Sequence, residues 1–286
     1  METTDPDDHS EPWWGPVALD EETGGRWIVG PTTLWLYRTS QEWRVLHRSP
    51  ADPTATDPML NRSRVSHPLP PETIAALPEM EGEALETSRY SFRQTEARVS
   101  VQPALADRPV VSRPEHPLHI PSGESVTLYL STALWIQVRL TASDRLLQEV
   151  PSFRMSDTWF GPSTVEGEYC YATRTAGRLQ LENLPRRYHR AITPLRIKNA
   201  ASDALALERV QLPVQHLALY TTPTHQLWTQ TVAMTRSPNQ DGADIQIRNG
   251  PPSEAQEADR IQPPRAPSKK GLFTSTFSAV GTLFGS

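Results

Sequence analysis

The chain of 286 residues carries 28 Lys and Arg against 33 Asp and Glu, a net charge of -5, with no extended basic run. That balance excludes a general nucleic-acid binder, which must meet several phosphates at once. A single cysteine, Cys170, excludes an internal disulfide framework and a Cys-based metal cluster and fits a reducing compartment, while 28 prolines are too many for one packed domain.

Residues 1 to 12 are acidic and polar and are expected as a disordered arm. Met1 to Glu22 holds eight acidic residues and no Lys or Arg, the reverse of a signal peptide. No run approaches the roughly 18 apolar residues of a membrane span. The expected location is cytoplasmic, with peripheral membrane association left open by the tail described below.

Residues 13–236 read as a β-rich body. Arg26–Val29, Thr33–Arg38 and Glu42–His47 are short, rich in Trp, Leu, Ile and Val, and separated by Gly30-Pro31 and Ser40-Gln41, which predicts a meander. Seven prolines between Ser49 and Leu85 forbid a central strand and predict a long loop, with a short helix at Pro71–Leu77. Strand signals resume at Ser88–Val101. Val126, Leu128 and Leu130, then Leu134, Ile136, Val138 and Leu140, alternate with polar residues, the period of half-buried strands, and predict a hairpin turning near Ser131-Thr132. Further strands are expected at Glu168–Thr175, Leu195–Asn199, Leu205–Leu212, Leu217–Tyr220 and Gln226–Thr235. The fold expected is all-β, mainly antiparallel, as one or two β-sandwich-like units with a boundary near residues 100–120. No strand–helix alternation supports a doubly wound nucleotide fold.

Residues 237–268 turn polar and Pro-rich and are expected as a disordered linker. Residues 269–286 form the sharpest pattern. At 100° per residue Leu272, Phe273, Phe277, Ala279, Val280, Leu283 and Phe284 fall within an arc of roughly 160°, just after Lys269 and Lys270. So short a helix, weakened by Gly, Ser and Thr, folds only on a surface. A partner's hydrophobic groove, a membrane interface and the chain's own body all qualify, and the interacting residues would be Leu272, Phe273, Phe277, Val280, Leu283 and Phe284.

Within the body, Asp157, Trp159, Glu166 and Glu168, near Tyr169 and Tyr171, form an aromatic and acidic cluster. Paired carboxylates do acid–base work and Trp faces bind sugars, so the cluster is a candidate for binding a small ligand or carbohydrate, less so for hydrolysis; the bland reading is a turn with core aromatics. His116 and His119, among prolines, are a weak metal pair with no third ligand in pattern. Arg186, Arg187, His189 and Arg190 make the densest basic patch, an anion site or a solvated loop. Cys170, alternating with tyrosines, reads as a small buried hydrophobe. Nucleophile elbows, phosphate-cradling loops, zincin helices and kinase signatures are absent, so no catalytic residue, metal or cofactor is assigned.

Trp159-Phe160-Gly161, Gly167-Glu168-Tyr169-Cys170-Tyr171, Thr193-Pro194-Leu195-Arg196-Ile197-Lys198-Asn199, Leu205 to Pro213, and Leu217-Ala218-Leu219-Tyr220 resemble an uncharacterised archaeal and bacterial family, domain-of-unknown-function family 432. Gly30-Pro31, Leu34-Trp35-Leu36-Tyr37-Arg38 and Glu42-Trp43 are similar too, so the resemblance covers about residues 13–235. It implies a β-rich body without an assigned activity. It also implies a membrane-protein partner, a small-conductance mechanosensitive channel. The reading that follows is a non-enzymatic accessory protein whose tail helix docks on a protein partner or membrane surface; the alternative is a ligand- or carbohydrate-binding β-sandwich.

Overall fold

The computed structural model describes residues 12–50, 63–75, 85–114, 117–161, 167–174, 177–238 and 242–267, and the backbone of 274–276. These fall into two compact units. The first takes the described residues up to Ser49, those from 63 to Pro103, and Ile136–Val150; the second takes Pro50, Ala104–Trp135 and those from Pro151 onward.

In chain order the first unit begins with β1 (Gly15–Ala18), β2 (Thr23–Val29), β3 (Thr32–Arg38), β4 (Glu42–Arg48), β5 (Ser63–Leu69), α1 (Pro71–Ala75), β6 (Glu86–Ser91) and β7 (Arg98–Ala104). Next come β8 (Val110–Arg113), β9 (Leu118–Ile120) and β10 (Ser125–Ala133) of the second unit, then β11 (Trp135–Leu140) and β12 (Leu146–Pro151) back in the first. The second unit continues with β13 (Ser156–Phe160), β14 (Glu168–Arg174), β15 (Arg190–Asn199), β16 (Leu205–Leu207), β17 (Val210–Leu212), β18 (Leu219–Thr221), β19 (Leu227–Thr229), β20 (Val232–Arg236), β21 (Gly242–Ile247), β22 (Asp259–Gln262) and β23 (Thr274–Thr276). The described chain is all-β and mainly antiparallel.

The first unit holds a five-stranded sheet, β5-β2-β3-β4-β6, and a four-stranded one, β1-β7-β11-β12. In the former, the expected meander is present: Leu34 faces Trp27 on one side and His47 on the other, and Leu36 faces Gly25 and Val45. Strand alternation therefore puts Trp27, Leu34, Leu36 and Val45 on one face, all nearly or wholly buried. The opposite face buries Trp35, Tyr37 and Leu46 under Ile74 of α1. Full burial of such side chains stabilises by about 1.5–3 kcal/mol each. Gly24 permits this cover, since a Cβ there would lie 2.7 Å from the Leu36 carbonyl oxygen and 3.2 Å from Ile74. Tyr90 of β6 hydrogen-bonds Gln148 of β12, tying the two sheets together.

In the second unit β10 pairs antiparallel with β15 along the whole of β10, from Arg190↔Ala133 to Lys198↔Ser125. The other edge of β15 takes β19 and then β20, both parallel. Outward from these lie β18 and β21, and then β22 and β23. A chain of buried hydroxyls crosses three strands, Thr132 to Thr193 at 2.6 Å and Thr229 to Thr193 at 2.9 Å. The remaining sheets are β13-β14-β8-β17 and the pair β16-β9.

Four expectations need correction. The alternating runs at 126–140 are strands but not a hairpin: β10 pairs with β15 while β11 joins β7 and β12, because Ser131-Thr132 lacks turn residues and the strand runs on to Ala133. Within the Pro-rich loop, β5 forms and pairs with β2 at the sheet edge, the place where proline is tolerated. The Pro-rich stretch 237–268 is more than a linker, since β21 and β22 join the large sheet, β21 through buried Ala243 and Ile245 alternating with exposed Asp244 and Gln246. In the tail, Thr274–Thr276 is an edge strand on β21 rather than a helical turn; two threonines there favour the extended chain once β21 offers backbone partners. The arm up to residue 11 and Leu272, Phe273, Phe277, Val280, Leu283 and Phe284 lie outside the described residues.

Candidate functional site

The four-stranded sheet of the second unit carries the most distinctive surface. In β13 the sequence Ser-Asp-Thr-Trp-Phe alternates, so Asp157 and Trp159 share one face while Thr158 and Phe160 share the other. Across the strand pair, Trp159 faces Tyr169 and Asp157 faces Tyr171. The inner face is closed by Phe160, Cys170 and Val111, which form a small buried cluster. Gly161 ends β13 in a conformation that few other residues adopt, with φ 147°.

On its other side β14 runs parallel to β8, with Tyr171 opposite Val110. The loop that enters β8 therefore passes beside Tyr171, whose N–H donates to the Pro109 carbonyl at 2.9 Å. Arg108 in that loop is the centre of the site. Its guanidinium carbon lies 4.5 Å from the Tyr169 ring centre and 4.1 Å from that of Tyr171. One terminal nitrogen pairs with Asp157 Oδ1 at 3.2 Å and the other donates to the Tyr171 hydroxyl at 2.9 Å. That hydroxyl in turn donates to Asp107 Oδ1 at 3.1 Å. Burial, followed by the Asp107 carboxylate, raises the Tyr171 hydroxyl above its ordinary value, so it stays protonated and can make this bond.

Trp159 stacks at 5.6 Å and 48° on Tyr169, and Trp135 at 5.2 Å on Tyr171. Yet Trp159 is 49% exposed and Tyr169 43% exposed, whereas Trp135 is buried. The face is thus a row of rings whose buried end is fixed and whose outer end meets solvent, with Arg108 wedged between. Strand β13 lies at the edge of its sheet.

The candidate residues read from the sequence separate here. Asp157 and Trp159 come together on this face. Glu168 does not: it faces Phe160 in the register, on the other side of the sheet, and accepts from Gln211 at 2.7 Å. Glu166 lies outside the described residues. A site of converging carboxylates, as acid–base chemistry needs, therefore loses Glu168 because a single residue of register sends neighbours to opposite faces. Arg108, Asp107 and Trp135 escaped the sequence reading, since nothing local marks an Asp-Arg-Pro turn as the partner of tyrosines some sixty positions away.

Elsewhere in this unit an open cleft of about 430 Å³ is lined by Pro114, Leu118, Leu128 and Leu179 with Gly177, Arg178, Gln180 and Asn183. None of the four candidate residues lines it. The basic patch divides: Arg186 is exposed and Arg187 half-buried, whereas His189 and Arg190 are buried, with Arg190 donating to the Ser131 carbonyl at 3.0 Å and lying 4.8 Å over the Phe153 ring. Burial first, then the Glu168 charge against an opposing bond from Gln211, pushes the Cys170 thiol up to about 11, so it is protonated and unreactive at neutral pH. His119 sits exposed on β9, and His116 lies outside the described residues. Among the described residues no cluster of three or more His, Cys, Asp or Glu is placed to hold a metal, and no helix is long and apolar enough to cross a membrane.

The chain belongs to the family described as Protein of unknown function (DUF432), whose model matches residues 13–282. The match extends past the β body through β21, β22 and β23. No curated protein and no solved structure matches the chain.

Proposed function

We propose that this chain is a non-enzymatic accessory protein that binds a protein partner through the Trp159–Tyr169–Arg108 face. The observation that carries the reading is that two large rings, each nearly half exposed, stack on one another, and that Arg108, which also lies over Tyr171, backs one of them, Tyr169. Trp, Tyr and Arg are the residues on which protein interfaces most depend, and rings ordered in advance spare the entropy of fixing them on contact. An edge strand lets the partner approach from the side as well as from above. The family resemblance makes a mechanosensitive channel a candidate partner. A tail that docks on the partner or on a membrane surface, with Leu272, Phe273, Phe277, Val280, Leu283 and Phe284 as its apolar side, belongs to the same proposal and rests on the sequence pattern.

The competing reading, a carbohydrate or small-ligand site, draws support from Trp159 beside Asp157. It is weakened because Asp157 is engaged by Arg108 and Glu168 faces away. The test places a photoreactive phenylalanine analogue at position 169 of the full chain in cells of its source organism. One protein adduct of defined mass is expected on irradiation, and Trp159→Ala should abolish it. No adduct, or an adduct indifferent to Trp159→Ala, rejects the proposal.

A further inference from the structure

The basic patch of the second unit borders a small recess that shares no residue with the Trp159 face. Two loops form it. The first enters β15, where the Arg190 N–H donates to the Arg187 carbonyl at 3.1 Å and closes a tight turn with the two arginines at its ends. The second joins β18 to β19 and is tied at its base. The Thr222 N–H donates to the Gln226 carbonyl at 3.0 Å, the Gln226 N–H to the Thr222 hydroxyl at 3.1 Å, and the His225 N–H to the Thr222 carbonyl at 2.9 Å. His225 takes the left-handed conformation there, with φ 59°. Because β19 runs parallel to β15, with Trp228 opposite Ile192, both strands start at the same end of the sheet and their entry loops stand side by side. Arg186 joins the loops by donating to the Thr224 carbonyl.

Among the described residues that line the recess, Arg186, Arg187, Arg190 and His225 carry cationic or protonatable side chains, and none carries a carboxylate. The arginines run from interior to solvent: Arg190 is 6% exposed and held by the Ser131 carbonyl, Arg187 is half-buried and Arg186 exposed. A recess walled by one sign of charge concentrates ions of the other, and the guanidinium fork matches the oxygens of phosphate and carboxylate. The size of the recess separates those two. Its volume of about 10 Å³ admits one oxygen-sized group rather than a whole molecule, so the ligand seats one atom and keeps the rest at the mouth. A phosphate monoester offers three acceptor oxygens and nearly two charges to three arginines, where a carboxylate offers two oxygens and one charge.

We infer that the recess between the β15 entry loop and the β18–β19 turn binds a phosphate group, carried by a small soluble molecule or by a lipid headgroup. Arg186 and Arg187 meet the outer oxygens, and Arg190 supplies positive charge from within. The site stands or falls separately from the Trp159 face.

The experiment titrates inorganic phosphate into the full chain, with chloride holding the ionic strength constant, and follows the arginine Nε–Hε resonances by NMR. Saturable shifts of Arg186 and Arg187 are expected, with a dissociation constant of about 1 mM or below. Arg187→Gln should weaken binding by about tenfold, the loss of one charge-assisted hydrogen bond, while its urea midpoint stays at the wild-type value. Arg248→Gln removes the same charge from an exposed position outside the recess and should leave binding unchanged. Acetate should bind about tenfold more weakly than phosphate. Sedimentation of the wild-type chain, but not of Arg187→Gln, with phosphatidylcholine vesicles containing phosphatidic acid would support the inference with a lipid as the source; phosphate binding without sedimentation would support it with a soluble one. The absence of saturable shifts overturns it, as do equal losses in Arg187→Gln and Arg248→Gln or acetate binding as tight as that of phosphate.

Discussion

Replacing Arg108 tests whether the exposed rings are held in place or merely lie near one another. Arg108→Met keeps the length of the side chain and removes its charge, its fork of donors and its planar stacking. The structure allows the loss to be estimated. Two ring contacts at 4.5 and 4.1 Å contribute about 0.5–1 kcal/mol each at a partly exposed site. The ion pair with Asp157, itself half exposed, adds roughly 0.2–1 kcal/mol, and the bond to the Tyr171 hydroxyl about 1 kcal/mol. Because these contacts share one side chain they do not add fully, and a local cost of about 2 kcal/mol is expected. That corresponds to exchange of the β13 and β14 amides faster by roughly 30-fold. Hydrogen exchange read by mass spectrometry on peptides covering 156–174 measures it, with β15 as reference. Arg108→Lys, which keeps the charge but not the planar stacking, should fall between wild type and Met. If Arg108→Met exchanges within about twofold of wild type, Arg108 does not order the face and the case for a preorganised binding surface fails.

Four further outcomes follow from polar and ionisable groups in and around the core. Asn199 donates to the Ile120 and Asp203 carbonyls at 2.9 and 2.7 Å and accepts from Ala201 at 3.2 Å, so Asn199→Ala should destabilise by about 2–4 kcal/mol in denaturant titrations; Asn199→Asp should be worse at neutral pH, because a carboxylate faces two carbonyl oxygens, and should recover as pH falls. His47 titrates below its ordinary 6.5, chiefly through burial against an opposing pull from Glu86, so the unfolded chain takes up the proton first. Its contribution is complete above about pH 6.5 and is lost as pH falls through the folded value, and His47→Gln should flatten urea midpoints there. Glu42 acts lower, since the Arg89 bond, supported by Arg44, holds it at about 2 against an ordinary 4.5, and its stabilisation fades between those values. Cys170, raised from 9.0 to about 11, should react with a thiol reagent about a hundredfold more slowly in the folded chain than in denaturant even before burial adds its own block.

What could be read from the sequence was whatever one strand states alone. The alternation of Val126, Leu128 and Leu130 reports a half-buried strand because one face meets water and the other meets core, and β10 is there. Its partner could not be read: Leu128 faces Leu195, nearly seventy positions on, while the next alternating run belongs to the other unit. Ala243, Ile245 and Ile247 show the same alternation within a stretch whose composition speaks for linker, and the prolines around them obscured a strand that local pattern already contained.

The site divides along the same line. Sequence proximity brought Asp157, Trp159, Glu166 and Glu168 into one cluster, but a β-strand separates neighbours and joins alternates, so Asp157 and Trp159 stay together while Glu168 crosses to Gln211 and Cys170. The residue that organises the face, Arg108, arrives from a loop entering a parallel neighbour strand, a pairing with no local signature. The tail shows the complementary case. Its Phe273 and Phe277 satisfy the helical period and the strand period alike, so no count of periodicity decides between them. What decides at Thr274–Thr276 is the unpaired edge of β21, a property of the folded sheet. A segment whose own sequence accepts two conformations takes the one its nearest surface rewards.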